Sequence, residues 1–246
     1  MSKLLAVLIL LLSPVMALGA GGSAIPLQKS KIDLYDQESL QRGAQYFVDY
    51  CMGCHSLEFM RYSRLADDLG IDEADLRENL LRGGAEPGDM MTIAMRPDDA
   101  EAWFGMAVPD LTLVTRWRSP DWVYTFLKSF YVDPSRPYGV NNALFQDVGM
   151  PHMLGGLQGT QRGVYKTTMV DGEEHKTIQG VELVEAGVLS PQAYDQMVRD
   201  LTAFLTYAGE PIILERRQLG IYVLLFLGLF FVVAYLLKKE YWKDVH

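Results

Sequence analysis

Cysteine is nearly absent: the 246 residues hold two, Cys51 and Cys54, within four consecutive positions. With no thiol elsewhere there is no structural disulfide, so packing and whatever the chain binds must hold it together. An excess of cations is absent too. The net charge is −9; setting aside the lysine before residue 25 and the surplus of two cations beyond residue 210 leaves −12 for the stretch between. That balance argues against nucleic acid or an anionic membrane surface as partner, and for basic partners steered by an acidic face. Repeats and low-complexity tracts are missing, which leaves one sizeable domain with appendages.

Long apolar runs are confined to the two ends. Leu4–Leu12 follows Lys3, is too short to span a bilayer, and precedes the small-residue stretch Ala17–Ala24. Residues 1–24 therefore read as a secretory signal peptide, with an uncleaved anchor as the alternative. Leu219–Leu237 is an uninterrupted apolar run of 19 residues, about the length that crosses a hydrocarbon core as a helix. Lys238, Lys239 and Lys243 follow it, and Tyr241 and Trp242 suit the membrane interface. A buried core helix is the bland alternative. The expected layout is an exported domain over 25–211, a membrane anchor over 212–240 and a cytoplasmic tail over 241–246.

What the chain does have is Cys51-Met52-Gly53-Cys54-His55. C-x-x-C-H is the spacing at which two thiols add across the vinyl groups of one haem while the adjacent histidine faces the iron. A disulfide, a redox-active C-x-x-C and a zinc half-site are the competing readings. The zinc reading lacks a second cysteine pair, and the redox reading lacks a βαβ context. On the opposite face of the iron the candidates are Met150, His152, Met153 and His175; His246 falls across the membrane. Met150 lies in the Gly/Pro-punctuated stretch GMPHML, where a methionine gains little from core packing. A thioether there would raise the reduction potential, and His152 would give a bis-histidine site of lower potential.

The periodicity reads as a mainly helical domain with long loops. Helices are expected over Asp36–Tyr50, ending at the C-x-x-C-H motif, over Ser63–Leu69 before Gly70, and over Asp72–Arg82 before Gly83. Residues 83–107 read as loop, 121–131 as apolar-periodic, and 132–157 as turn-rich. A small hairpin is expected over Val164–Ile178 around Asp171-Gly172. Ser190-Pro191 opens a last helix of the domain, which closes at Gly209-Glu210-Pro211.

The ordered segments CMGCHSLEFMRY, MRPDDAEAWFG, VPDLTLVTRWR, VGMP and FLTYAGEP running into RRQLGIYVLLF resemble the cytochrome c1 family in a bacterial form. The resemblance implies a class I cytochrome c-like haem domain with one C-terminal transmembrane helix. It implies one covalent haem c on Cys51 and Cys54, with His55 and Met150 as axial ligands. Arg118 matches the family's propionate-pairing arginine, and Arg116 could do the same. Pro109, Tyr62, Trp117 and Tyr131 would line the haem crevice. The implied partners are cytochrome b, a Rieske iron–sulfur protein and a soluble basic cytochrome c. The implied place is the inner membrane, with the haem domain in the periplasm. An anchored monohaem subunit of a terminal oxidase or nitric oxide reductase is a second reading. A haem gas sensor or peroxidase with an open iron, or a haem-free thiol redox protein, belongs to other classes.

Overall fold

The structure, a computed structural model, describes residues 25–170 and 173–243. The expected signal peptide, the Asp171-Gly172 turn and the end of the tail lie outside the described residues. Helix α1 (Gln37–Tyr50) starts where Asp36 accepts a hydrogen bond from the Ser39 amide at 3.0 Å. Its buried stripe is Leu40, Gly43, Ala44, Phe47 and Val48. Strand β1 (Leu57–Arg61) leads into α2 (Tyr62–Leu69), which stops at Gly70 in the left-handed conformation. The next helix is shorter than its periodicity suggests. Asp72 caps the single turn α3 (Glu73–Asp75), and a π-helical turn over Leu76–Leu80 ends it before Gly83.

The stretch expected as loop holds β2 (Met90–Met91), paired to β1, and α4 (Pro97–Phe104). Proline at the first turn and Asp98 and Asp99 near the N-terminus of α4 are helix-start signals that outweigh its thin apolar face. Two helices follow, α5 (Val114–Arg118) and α6 (Pro120–Lys128), then the short antiparallel pair β3 (Phe130–Val132) and β4 (Val140–Asn142). A short α7 (Gly155–Gln158) precedes the hairpin β5 (Gly159–Val170) and β6 (Glu173–Ala186). That hairpin extends beyond Val164–Ile178 at both ends. Gln161 fixes its base by donating to the carbonyls of Lys128 and Phe130, at 3.0 and 2.7 Å.

Helix α8 (Pro191–Gly209) begins at the Ser190 cap and crosses α1 through the middle of the core. The Phe47 and Phe204 rings meet there at 5.8 Å. Asp200 of α8 is 1% exposed and accepts from Ser39 Oγ (2.6 Å), Arg42 Nε (2.7 Å) and Gln196 (2.8 Å). A buried carboxylate is tolerable only with such partners. Helix α9 (Ile213–Tyr241) contains the apolar run and has no buried residue among the described residues. Its most apolar stretch has a mean hydropathy of 2.6, which suits a single-pass anchor.

A second polar knot ties α6 to α8. Burial pushes the Asp195 carboxyl up, but hydrogen bonds from Lys128, Tyr124 and Arg199 outweigh it and hold the pKa at about 2. The unfolded value is about 3.9. A depressed carboxylate contributes its stability above the unfolded value and loses it as pH falls through the folded one. The urea-denaturation advantage of the native chain over Asp195→Asn should therefore shrink between about pH 4 and pH 2. With a partly exposed site, the loss should be on the order of 1 kcal/mol.

Candidate functional site

The C-x-x-C-H motif occupies the turn that ends α1. The Cys51 amide still bonds to Phe47 O at 2.9 Å, and the amides of Cys54 and His55 turn back to Cys51 O at 3.0 and 2.9 Å. The helix thus delivers both thiols and the imidazole from one compact turn. The two thiols are free rather than joined. Burial pushes the Cys51 thiol up to about 12, with Cys54 adding to the shift. A redox-active C-x-x-C is favoured by the opposite shift, towards thiolate. No group of three or more His, Cys, Asp or Glu side chains gathers as a metal site among the described residues, so the zinc half-site finds no further ligands there.

His55 Nδ1 lies 2.7 Å from the Pro109 carbonyl. A carbonyl only accepts, so Nδ1 carries the proton and Nε2 keeps its lone pair. Burial lowers the His55 pKa, against the Pro109 bond and Asp110, which favours the neutral ring that a metal requires. A ligating histidine fixed through its other nitrogen is the usual outer-sphere arrangement. Here a short zipper of bonds supplies it. Leu111 N donates to Ser56 O at 3.0 Å, and Asp110 accepts from the amides of Glu58 and Thr112, each at 2.8 Å. The PDLT segment is thereby laid along residues 55–58. Pro109 was expected to line the crevice; its role as the hydrogen-bond acceptor for His55 was not readable, because backbone carbonyls leave no mark in a sequence.

Met150 is half-buried at the end of a loop whose backbone is pinned from within. Asn142 Oδ1 accepts from the amides of Leu144 (2.9 Å) and Phe145 (3.1 Å), and Asn141 Oδ1 accepts from Asp147 N (2.9 Å). These two asparagines were missed in the sequence. An Asn-Asn pair before a turn-rich stretch is a signal for side chains that cap loop amides. His152 is already engaged: its Nε2 is 2.7 Å from Gln158 Oε1, and its ring stacks on Phe130 at 4.5 Å. Met153 is exposed, and His175 lies in β6, away from this loop in sequence and paired opposite Thr168.

The Arg118 guanidinium lies 3.9 Å from the Trp117 ring centroid, 4.9 Å from Trp122 and 5.7 Å from Phe145 of the Met150 loop. No acidic side chain pairs with it among the described residues. Arg116 instead reaches Glu210 at 4.0 Å, beside Arg216. Of the expected crevice aromatics, Trp117 is 75% exposed under Arg118. Tyr62 is in the core, donating to Met52 Sδ at 3.3 Å, and Tyr131 is buried edge-on to Tyr165.

The sequence profile described as the Cytochrome C1 family matches residues 28–245. The chain belongs to the cytochrome c1 family. It is similar over its whole length, and over the whole of the relative, to a cytochrome c1 of Allochromatium vinosum, at 65% identity. It is 44% identical to a protein of Nitrosomonas europaea named ammonia monooxygenase gamma subunit, across 97% of each chain. A cytochrome c1 of Rhodospirillum rubrum is 29% identical, over 86% of this chain and 83% of its own. As a cytochrome c1, the chain is an electron-transfer haem subunit of the cytochrome bc1 complex, with a c-type haem as cofactor. The residues fit that group: two free thiols and a histidine with one nitrogen to spare share a turn.

Proposed function

We propose that one haem is held covalently through Cys51 and Cys54, with His55 and Met150 as its axial ligands and Arg118 turned to a propionate. The bond from His55 to Pro109 carries this reading, because it fixes the ring and reserves Nε2 for iron. The engagement of His152 with Gln158 and Phe130 supports Met150 over its neighbour. A planar guanidinium grips a carboxylate in two places and offsets its burial, which supports Arg118 over the ion-paired Arg116. The haem supplies a one-electron Fe(II)/Fe(III) couple. The chain's own residues orient the ligands, exclude water and hold the couple at high potential; no substrate bond is made or broken.

The electron comes from the Rieske protein of the complex and leaves to a soluble basic cytochrome c. The −12 charge of residues 25–210 supports a basic acceptor. Residues 25–211 form the periplasmic domain, 1–24 its signal peptide, and 212–240 the anchor that docks beside cytochrome b, with 241–246 in the cytoplasm. Purification of the tagged full-length chain in mild detergent tests the assignment. Cytochrome b and a Rieske subunit should co-purify with quinol–cytochrome c reductase activity, and the haem should stay with the chain after denaturation. Co-purification with an oxygen-activating monooxygenase instead, as the name of the Nitrosomonas relative would have it, overturns the assignment.

A further inference from the structure

The segment from α4 to Pro109 touches both arms of the site. On one side the Pro109 carbonyl accepts the proton of His55 Nδ1 at 2.7 Å. On the other, Phe104 packs against Tyr138 at 6.3 Å, and the Tyr138 hydroxyl donates to Trp103 O at 3.3 Å. Between these points the Met106 thioether lies over Gly149, the residue before Met150. A Cβ built on Gly149 would stand 3.0 Å from Met106 Sδ. Glycine is what allows the sulfur so close to the loop backbone.

Met106 has little other reason to be there. It is 53% exposed, so core packing accounts for only part of its placement. It follows Gly105, whose φ of +77° ends α4 and turns the chain towards the loop. We propose that residues 97–109 are a strap joining the two ligand arms, in which Met106 is a positioning residue that seats Gly149 and so holds Met150 against the iron. This rests on the His55/Met150 reading above. A loop ligand without backing exchanges with solvent and small molecules, and outer contacts of this kind set how firmly a ligand is held.

The test uses the full-length haem-loaded protein in detergent, with Met106→Ala, Met106→Leu and Gly149→Ala. In Met106→Ala the near-infrared thioether-to-ferric band should lose at least half its intensity, and the reduced protein should bind carbon monoxide at least tenfold faster. The midpoint potential should fall, by about 59 mV for each tenfold by which ferrous ligation weakens relative to ferric. Leucine fills similar space, so Met106→Leu should stay within twofold of wild type. Gly149→Ala pushes on the same contact from the other side and should resemble Met106→Ala, which keeps the test open if one variant folds poorly. If Met106→Ala keeps the wild-type band, carbon monoxide rate and potential, the strap is wrong while Met150 ligation stands. Equal impairment by Ala and Leu would make the sulfur itself the active feature and overturn a positioning role. A wild-type protein with no such band would refute the ligation reading, and the strap with it.

Discussion

Met150→Leu should leave a folded, haem-loaded protein that binds carbon monoxide when reduced and no longer passes electrons to a high-potential acceptor. Leucine and methionine are close in volume, and such swaps cost less than about 1.5 kcal/mol even in cores. Met150 is only half-buried, and its loop is held by Asn141 and Asn142 rather than by the methionine. What the substitution removes is the thioether. As an iron ligand a thioether stabilises the ferrous state, and axial ligation sets haem potentials over a range of about 0.8 V. A fall of at least about 100 mV is expected, worth roughly fiftyfold in the electron-transfer equilibrium for a one-electron couple. A potentiometric titration and a carbon monoxide difference spectrum check it. If Met150→Leu leaves both unchanged while His152→Leu alters them, the sixth ligand is His152, and it must leave its hydrogen bond to Gln158 and its stack on Phe130 to reach the iron.

The parts of this fold legible from sequence are those governed by local rules. Gly70, Asp72 and Ser190 each cap or close a helix as their residue types require. The apolar stripe of α1 is the stripe found in the core. The anchor was legible because an apolar run of that length has few other uses. What was not legible depends on contacts between distant segments. Helix α4 was missed because only Ala100 of its eight residues is buried, so it has almost no apolar period to read. The π-helical turn at Leu76–Leu80 places Leu76 and Leu80 in the core, a tertiary preference that overrides the regular spacing.

The site divides along the same line. Cys51, Cys54 and His55 are adjacent in sequence, so their chemistry is written in one motif. The group that aims the histidine is a backbone carbonyl from far along the chain, that of Pro109. Arg118 is a further case. It was expected to pair with a haem propionate, but the aromatic seat of Trp117, Trp122 and Phe145 draws on three separate segments.

Gly43→Ala should destabilise the domain by about 3 kcal/mol and disturb the haem motif from a distance of two helical turns. On its own, alanine in a helix interior is favoured over glycine by about 1 kcal/mol. At this position that gain is overwhelmed. A Cβ on Gly43 would lie 2.7 Å from both the Asp200 carbonyl carbon and Phe204 Cβ, and closer still to the Asp200 carbonyl oxygen. Backbone cannot swing aside as a side chain can, so α1 and α8 must separate. Separation loosens the Phe47–Phe204 contact and the bonds from Ser39 and Arg42 to Asp200, all of which sit at the crossing. For a domain of this size, about 3 kcal/mol corresponds to a fall in Tm of roughly 6–12 °C. Because α1 ends at Cys51, the displaced helix also carries both thiols and His55 away from the Pro109 carbonyl. Lower haem content per chain is therefore expected together with the lower Tm. Glu38→Ala, on the exposed face of the same helix, should stay within about 0.5 kcal/mol of wild type. Thermal unfolding followed by circular dichroism, with haem quantified per chain, checks both. A Gly43→Ala protein as stable as wild type would mean that the two helices do not cross at this glycine.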